Sequence, residues 1–475
     1  MTSTAANPQQ TRRATARVLV WFVVASTLYA VPSIWLLRNY LQPAFDLAIY
    51  DQSLWLILNG ETFNTIIASH VLGVHFSPVL YPLSVLAVVP GGAVPEIVLQ
   101  SLLIASGVFP AAALADRLGK PRSWFIAAYA IHPAIIGGSW YGFRPWNLAV
   151  PVFMWAIFWM VKRPTSVHIV IAGLGLLLFR EDLAIWAGLA ALVLALAGRI
   201  TWRALVLPGV VLGAATAVVL LGVLPAISPT DSYFFATSAE TTVPSIPSSV
   251  SSLAIRALFV LVPFGVMPSL IRWRLVMPAV IPALALVFKG GNALTTYFHY
   301  DMMFVPLLLL AMALSPEARS NTRVVVAASM TMLLLFGVLR PLPPQHGPNP
   351  WRYDPELTAR IDETIESLSR VDGYRTTSLT APSHLVPHLS ERENIFVYPE
   401  PLHRSDTDDL DQYADVVTFD CPAPNIVISL RSRDDQWQAL LDSDYDLVGA
   451  DDALPVWKRV TSLPNDPCEA TWHRP

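Results

Sequence analysis

Cysteine is almost absent: the 475 residues contain two, Cys421 and Cys468, so neither a disulfide framework nor a cysteine-rich metal site can organise the whole chain. Charge is scarce as well. Only 14% of residues are Asp, Glu, Lys or Arg, against 54% hydrophobic, and the mean hydropathy of +0.49 excludes an ordinary soluble globule. No P-loop, GxSxG, HExxH or CxxC motif occurs, which leaves out a nucleotidase, a serine hydrolase, a zincin and a dithiol redox enzyme, and argues against an internal ATP-driven pump. No internal repeat is evident, and no basic tract suggests a nucleic-acid partner.

What is present is a series of apolar runs reaching to about residue 340. They read as spans near 18–37, 96–114, 123–141, 147–161, 167–180, 183–198, 204–225, 253–271, 275–288, 302–315 and 323–339. The fold class expected is mainly α, a polytopic helical membrane protein of about 11 spans with a small C-terminal extracytoplasmic α/β domain. The domains are a cytoplasmic segment 1–17, a transmembrane domain 18–340 whose first external loop is 38–95, and a soluble domain 341–475. Runs 167–180 and 275–288 fall short of the roughly 20 residues a span needs, so tilt or bilayer thinning is required there.

Charges are sorted between these runs. Arg12, Arg13 and Arg17, then Arg117, Lys120 and Arg122, Lys162 and Arg163, Arg199 and Arg203, Arg272 and Arg274, and Arg319 and Arg323 occupy every second gap. By the positive-inside rule those gaps are cytoplasmic. The other gaps carry Phe45 to Asp51 (FDLAIYD), His70 and His75, Phe143 to Asn147 (FRPWN), Arg180-Glu181-Asp182, and Tyr297 to Asp301 (YFHYD), so their titratable groups gather on one extracytoplasmic face. Eleven crossings from an inside N-terminus put the tail outside, in a bacterial cytoplasmic membrane. The segment His75 to Pro90 fits this order only as a re-entrant or interfacial piece, and such backbone at membrane depth suits an active-site wall.

The first apolar run lacks a small-residue cleavage site and reads as a retained helix. Residues 228–252, rich in Ser, Thr and Pro, form a long external loop suited to a lid. The tail is acidic, with 24 of the 35 acids and 11 of the 31 basic residues. Helical spacing runs from Pro355 to Arg370 through Leu357, Ile361, Ile365 and Leu368, and strand-like runs follow at Thr376–Thr380, Asn394–Tyr398 and Val416–Phe419. In an oxidising compartment Cys421 and Cys468 are expected to form a disulfide closing this domain; the alternative is two inert buried thiols.

Asp46 and Asp51 follow the first span in a segment patterned as a short surface helix, where a carboxylate can take a proton from an attacking hydroxyl; solvating a loop or capping a helix is the bland reading. Arg180, Glu181 and Asp182 between two apolar runs must pair or line water, or else mark a plain hairpin turn. His75 and His299 could bind phosphate or a divalent metal, although neither stands in a metal-ligand spacing. Arg38, Arg144, Arg180, Arg256, Lys289 and Arg340 lie on the external side against the positive-inside trend. An external cation can hold a lipid phosphate, whereas snorkelling is the preferred reading for Arg38, Arg256 and Arg340. Trp140, Tyr141 and Trp146 offer flat faces for a sugar, or act as interfacial belt residues.

The motifs FDLAIYDQSLW, HFSP, YGFRPWN, REDLA, YFHYD and LVPHLSERENIFVYP, in this order over about residues 45–420, resemble the bacterial membrane proteins catalogued as domain of unknown function 2079. That family is similar to the GT-C superfamily of polytopic glycosyltransferases, which take sugar from a polyprenyl phosphate outside the cytoplasmic membrane. The resemblance implies an essential acid in the first external loop, here Asp46, with Asp51 second. Two departures stand out: Val74 replaces an acid before the His of HFSP, and FRPW replaces FHPE, so that Arg144 and Trp146 stand for His and Glu. A changed substrate, or no activity, would follow if those groups formed a metal or base site.

The mechanism expected is inverting transfer from a lipid-linked sugar whose chain enters between helices. Asp46 is the general base; Arg180 and His299, with Arg144, hold the donor phosphate; His75, Glu181, Asp182, Trp146 and Tyr297 bind substrate. The partners are that membrane lipid and a glycan, lipid or protein acceptor. A transporter or flippase, which should show repeats and chemistry at mid-membrane, and a non-catalytic envelope-assembly protein are the alternatives.

Overall fold

The computed structural model describes residues 8–44, 46–228, 246–265, 272–289, 299–315, 321–336, 339, 353–369 and 377–397, and strands at 416–420, 426–428, 445–449, 456–459 and 469–473. Three helical stretches are long and apolar enough to cross a membrane: Arg12–Arg38, Val94–Leu118 and Trp202–Ile227. The other apolar helices are shorter, among them Ser166–Leu177, Ala184–Leu196, Phe304–Ala313 and Thr322–Leu335. At about 1.5 Å per residue such helices reach roughly 15–21 Å of a hydrocarbon core about 30 Å thick.

Proline and close packing account for the breaks. The run 123–141 divides into Arg122–Ala130 and Pro133–Trp140. Pro133 supplies no amide hydrogen and pushes the preceding residue out of the helical region, and His132 is extended at φ −63°, ψ 130°. The His132 ring then accepts the orphan Ala134 amide at 3.2 Å and meets the Val260 carbonyl at 3.1 Å, tying this break to another helix. Val94–Ser106 and Val108–Leu118 join at Gly107, where the Tyr129 ring occupies the space a Cβ would need. Tyr129 donates to Ile104 O at 2.7 Å across the same contact.

The segment His75 to Pro90 does not form a crossing helix. It makes two short turns, Leu80–Leu83 and Ser84–Val88, laid against the helix Leu47–Leu58. Snorkelling is overturned for Arg256: its side chain is buried and its Nε donates to Asp301 Oδ1 at 2.6 Å, because a guanidinium that packing keeps from water must be neutralised where it lies. Arg38 is exposed, while Arg340, the lid segment 229–245 and both cysteines lie outside the described residues.

In the tail, helix Pro355–Ser369 lies beside strands Tyr445–Gly449 and Val456–Arg459. The five-stranded sheet runs in the order Ile395–Val397, Leu379–Ala381, Ile426–Ile428, Val456–Arg459, Tyr445–Gly449, with the first three strands parallel and the others antiparallel. The run at 416 does not join it; Val416–Asp420 pairs with Glu469–His473 in a separate ribbon, with Asp420 opposite Glu469. Ile361 and Leu368 are buried, whereas Leu357 is exposed.

This tail docks on residues 40–65. Ala44 and Ala48 pack with Ile361, Leu368, Leu379, Leu385, Val386 and Ile395 in one apolar cluster. Ile395 lies on the edge strand, and Thr65 satisfies its free edge by donating to Ile395 O at 2.7 Å and accepting from Ile395 N at 3.1 Å. The Gln52 amide donates to Glu393 O at 3.0 Å, and Tyr40 donates to Asp362 at 2.6 Å. Asp51, fully buried, accepts from Ser390 Oγ, and His388 Nε2 donates to Leu37 O at 3.1 Å.

Two titrations act on this contact in opposite directions. Burial holds His388 at about 4, so docking is lost as pH falls from the ordinary histidine value of about 6.5 toward that level. Burial, then the charges of Glu96 and Glu391, raises the Asp51 carboxyl well above its ordinary range, so docking weakens as pH rises above about 4, where a free aspartate ionises. Above pH ~6.5 only Asp51 contributes of the two. Amide exchange over 379–397, corrected for intrinsic rate, should therefore accelerate from neutral to alkaline pH in the wild type and stay flat in Asp51→Asn; an equal slope in the variant would remove Asp51 from this role.

Candidate functional site

The site is built on a loop between two helices. Residues Tyr141–Asn147 follow the helix Pro133–Trp140, and buried amides pin them from both sides. Gln42 donates to Trp140 O at 2.7 Å, Gln100 donates to Gly142 O at 2.7 Å, and Gln100 Oε1 accepts from Arg144 N at 2.9 Å and Asn147 Nδ2 at 3.2 Å. Gly142 has φ +66°, and an added Cβ would meet Leu47 Cβ at 3.1 Å, so glycine is required by backbone and by space. Gln42 and Gln100 were not singled out from sequence. The available signal was an uncharged amide within or beside an apolar run, where every polar group needs a partner.

Arg144 is the centre of the loop. Its side chain is 0% exposed, its Nη2 binds the Asp46 carboxylate, and its Nη1 donates to Tyr141 O at 2.6 Å. The guanidinium carbon lies 4.0 Å from the centroid of the Tyr141 ring. Asp46 is 25% exposed and sits at φ 74°, a left-handed conformation uncommon for a residue with a side chain and stored where surrounding contacts hold it. It begins the helix Leu47–Leu58.

Asp46 and Asp51 part company here. Five residues along a helix amount to roughly 140° around its axis, so the two carboxylates point to different neighbours. Asp46 meets Arg144, and Asp51 meets the tail. Asp51 therefore lies outside the cluster, its side chain turned to Ser390 and its carboxyl raised well above the ordinary range by burial, then by the charges of Glu96 and Glu391.

The second half comes from Arg180-Glu181-Asp182, between helices Ser166–Leu177 and Ala184–Leu196. Ser77 Oγ donates to Phe179 O at 2.7 Å and Val79 N to Leu178 O at 3.1 Å, which joins this turn to the HFSP segment. Glu181 accepts from His75 Nδ1 at 2.7 Å and from Phe76 N at 2.9 Å. Arg180 grips Asp182 with two bonds of 2.6 and 2.7 Å. Trp146 connects the halves: Arg180 Cζ is 5.0 Å from its ring, and the rings of His75 and Tyr50 meet it edge-on at 5.1 and 5.5 Å. Burial, then the charge of Asp46, raises the Tyr50 hydroxyl far above its ordinary value, with Arg144, Arg180 and Glu181 also acting on it, so all four charges surround one point.

Of the residues expected at the site, Asp46, Arg144, His75, Trp146, Arg180, Glu181 and Asp182 converge. Tyr300 joins them through Tyr141, from the YFHYD motif. His299 lies in the same short turn, but its side chain, and the whole of Tyr297, fall outside the described residues. Trp140 is an anchor, donating its indole N–H to Leu28 O at 2.9 Å in the first helix, and offers no open face to a sugar. Among the described residues no three His, Cys, Asp or Glu side chains group as metal ligands.

The two cations differ in what freeing them requires. Arg180 is 15% and Asp182 47% exposed, so solvent screens this pair from the aspartate side and an incoming anion can compete with Asp182 for the guanidinium. Arg144 has no solvent to fall back on, and losing one partner of a buried pair costs about 3–5 kcal/mol. Arg144 thus fixes Asp46, and Arg180 is the cation open to exchange. Thermal melts should show Arg180→Ala within about 1 kcal/mol of wild type and Asp46→Ala destabilised by about 3 kcal/mol or more; similar losses at both positions would contradict this division.

The sequence matches the family of predicted membrane proteins catalogued as domain of unknown function 2079 over residues 36–452. No curated protein and no solved structure matches the chain. A match over that much of the chain, spanning every segment that contributes to the cluster, shows that this protein is a member of the domain of unknown function 2079 family.

Proposed function

We propose that this protein is an integral membrane glycosyltransferase of the GT-C type, moving a sugar from a polyprenyl-phosphate donor to a cell-envelope acceptor on the extracytoplasmic face. The carrying observation is the convergence of Asp46, Arg144, His75, Glu181, Arg180 and Trp146, from four separate stretches of chain, on one cluster beside the docked tail. The reading includes eleven crossings, a cytoplasmic N-terminus and an external α/β domain.

Each group then has a task. Arg180 exchanges Asp182 for the donor phosphate and stabilises charge growing on it as the glycosidic bond breaks. Asp46, held by Arg144, accepts a hydrogen bond from the acceptor hydroxyl and aims it at the anomeric carbon. Tyr300, half-buried, supplies apolar surface at the sugar, and Trp146, buried, backs His75 and Arg180. An apolar cavity of about 650 Å³ begins at Ala184, two residues after Asp182, and is lined by Gly188, Gly209, Leu212, Gly213 and Leu220, suited to a lipid chain entering between helices.

Membranes containing the protein should transfer label from one of a panel of polyprenyl-phosphate sugars, and Asp46→Asn at matched expression should lower the rate about a hundredfold or more. Transfer from no donor by correctly inserted protein would favour a transporter or an assembly factor. The external tail carries its own test. Unreduced protein should take up no maleimide at Cys421 or Cys468 and two equivalents after reduction; labelling without reduction would argue against an oxidising compartment.

A further inference from the structure

Asp46 is a poor proton acceptor where it stands. Its carboxylate is already engaged by the Arg144 guanidinium, which is itself fully buried and holds that oxygen in place. It can orient a hydroxyl, but another group must remove the hydrogen.

His75 and Glu181 have the geometry for that. Glu181 is 2% exposed and His75 12%, so the carboxylate is sealed and the ring reaches the edge of the cluster. An ionised carboxylate can only accept, so His75 Nδ1 carries the hydrogen of the 2.7 Å bond and Nε2 is left as the proton-exchanging nitrogen. Phe76 N donates to the other Glu181 oxygen at 2.9 Å, so both oxygens are engaged and the carboxylate cannot rotate away. The Ser77 and Val79 bonds to Phe179 and Leu178 tie the two segments together, which keeps the pair in register. The edge of the ring stands against Trp146, with Arg180 on the same indole.

We infer that His75, oriented by Glu181, is the catalytic base of this site, taking the proton of the acceptor hydroxyl while Asp46 aims that hydroxyl. This rests on the glycosyl-transfer reading for the identity of the proton donor, and on the geometry alone for the dyad. The acceptor O–H bond breaks and its proton passes to His75 Nε2. The oxygen forms the new bond to the anomeric carbon, and the bond from that carbon to the phosphate oxygen breaks with its electron pair left on the phosphate, beside Arg180. Glu181 stabilises the imidazolium that results. Burial alone would raise the Glu181 carboxyl, but the charge and hydrogen bond of His75 and the charge of Arg180 outweigh it and hold the group at about 2, so it stays ionised through the working range. Among the described residues the other ionisable groups of the cluster are Asp46 and Tyr50 from the segment that opens helix Leu47–Leu58, Tyr141 and Arg144 from the pinned loop, Tyr300 from the YFHYD motif, and Arg180 and Asp182 from the turn that carries Glu181.

The test uses full-length protein in detergent micelles, treated with diethyl pyrocarbonate across a pH series, with His75 and His70 modification read by peptide mass spectrometry. In Glu181→Gln, which keeps an acceptor for Phe76 N, the midpoint of His75 labelling should move to lower pH by about one unit while that of His70 stays. An unmoved His75 midpoint overturns the dyad whatever the transfer assay gives. In that assay His75→Gln, which keeps a donor for Glu181, should lower kcat about a hundredfold or more with little change in KM and lose the acid limb of the pH profile; full activity with the same limb overturns His75 as the base. A shifted midpoint in protein that uses no donor supports the dyad and rejects glycosyl transfer.

Discussion

A guanidinium taken out of water has to find its counter-charge and its hydrogen bonds inside the fold, and Arg144 finds the charge in Asp46 and a carbonyl and a ring face in Tyr141. Its backbone amide is received by Gln100. Side chain and backbone of that one residue together join the segment at Asp46, the loop after Pro133–Trp140 and the helix that begins at Val94. Gly142 is part of the same requirement, since the loop can lie against Leu47 only without a side chain there. Removing the charge from water and closing the site are therefore one event.

The tail is attached by the opposite strategy. Its contact with residues 40–65 is apolar, with hydrogen bonds from Gln52, Thr65 and Ser390 and a carboxyl at Asp51 that burial raises well above its ordinary range. Within one helix, then, Leu47–Leu58 and its cap present one carboxyl group to Arg144 and another to the tail.

The two departures from the resembled motifs acquire physical content in this arrangement. Where FRPW places Arg144, the loop gains a permanent cation that no histidine would guarantee, and Asp46 is its counter-charge. Where Val74 removes an acid next to His75, a carboxylate still reaches that ring, supplied by Glu181 from a turn 106 residues away in sequence. Trp146, in place of an acid, becomes the surface on which His75, Tyr50 and Arg180 meet.

Much of this was legible in the chain itself, because bilayer chemistry is written in composition. Apolar runs, the membrane character, and the grouping of Asp46, Arg144, His75, Glu181 and Trp146 follow from which residues can bear hydrocarbon and which cannot, whereas the break of the run 123–141 at Pro133 does not. Pairing was not legible. Sequence cannot say that Arg144 answers Asp46 and not a ligand, that Asp51 turns to Ser390, that Arg256 lies buried against Asp301, or that strand Val416–Asp420 leaves the main sheet for Glu469–His473, since each depends on distances between segments tens to hundreds of residues apart. Local propensity and hydropathy act over a few turns of chain, whereas the partner of a buried charge is chosen by the packing of the whole fold, and only the tertiary structure carries that choice.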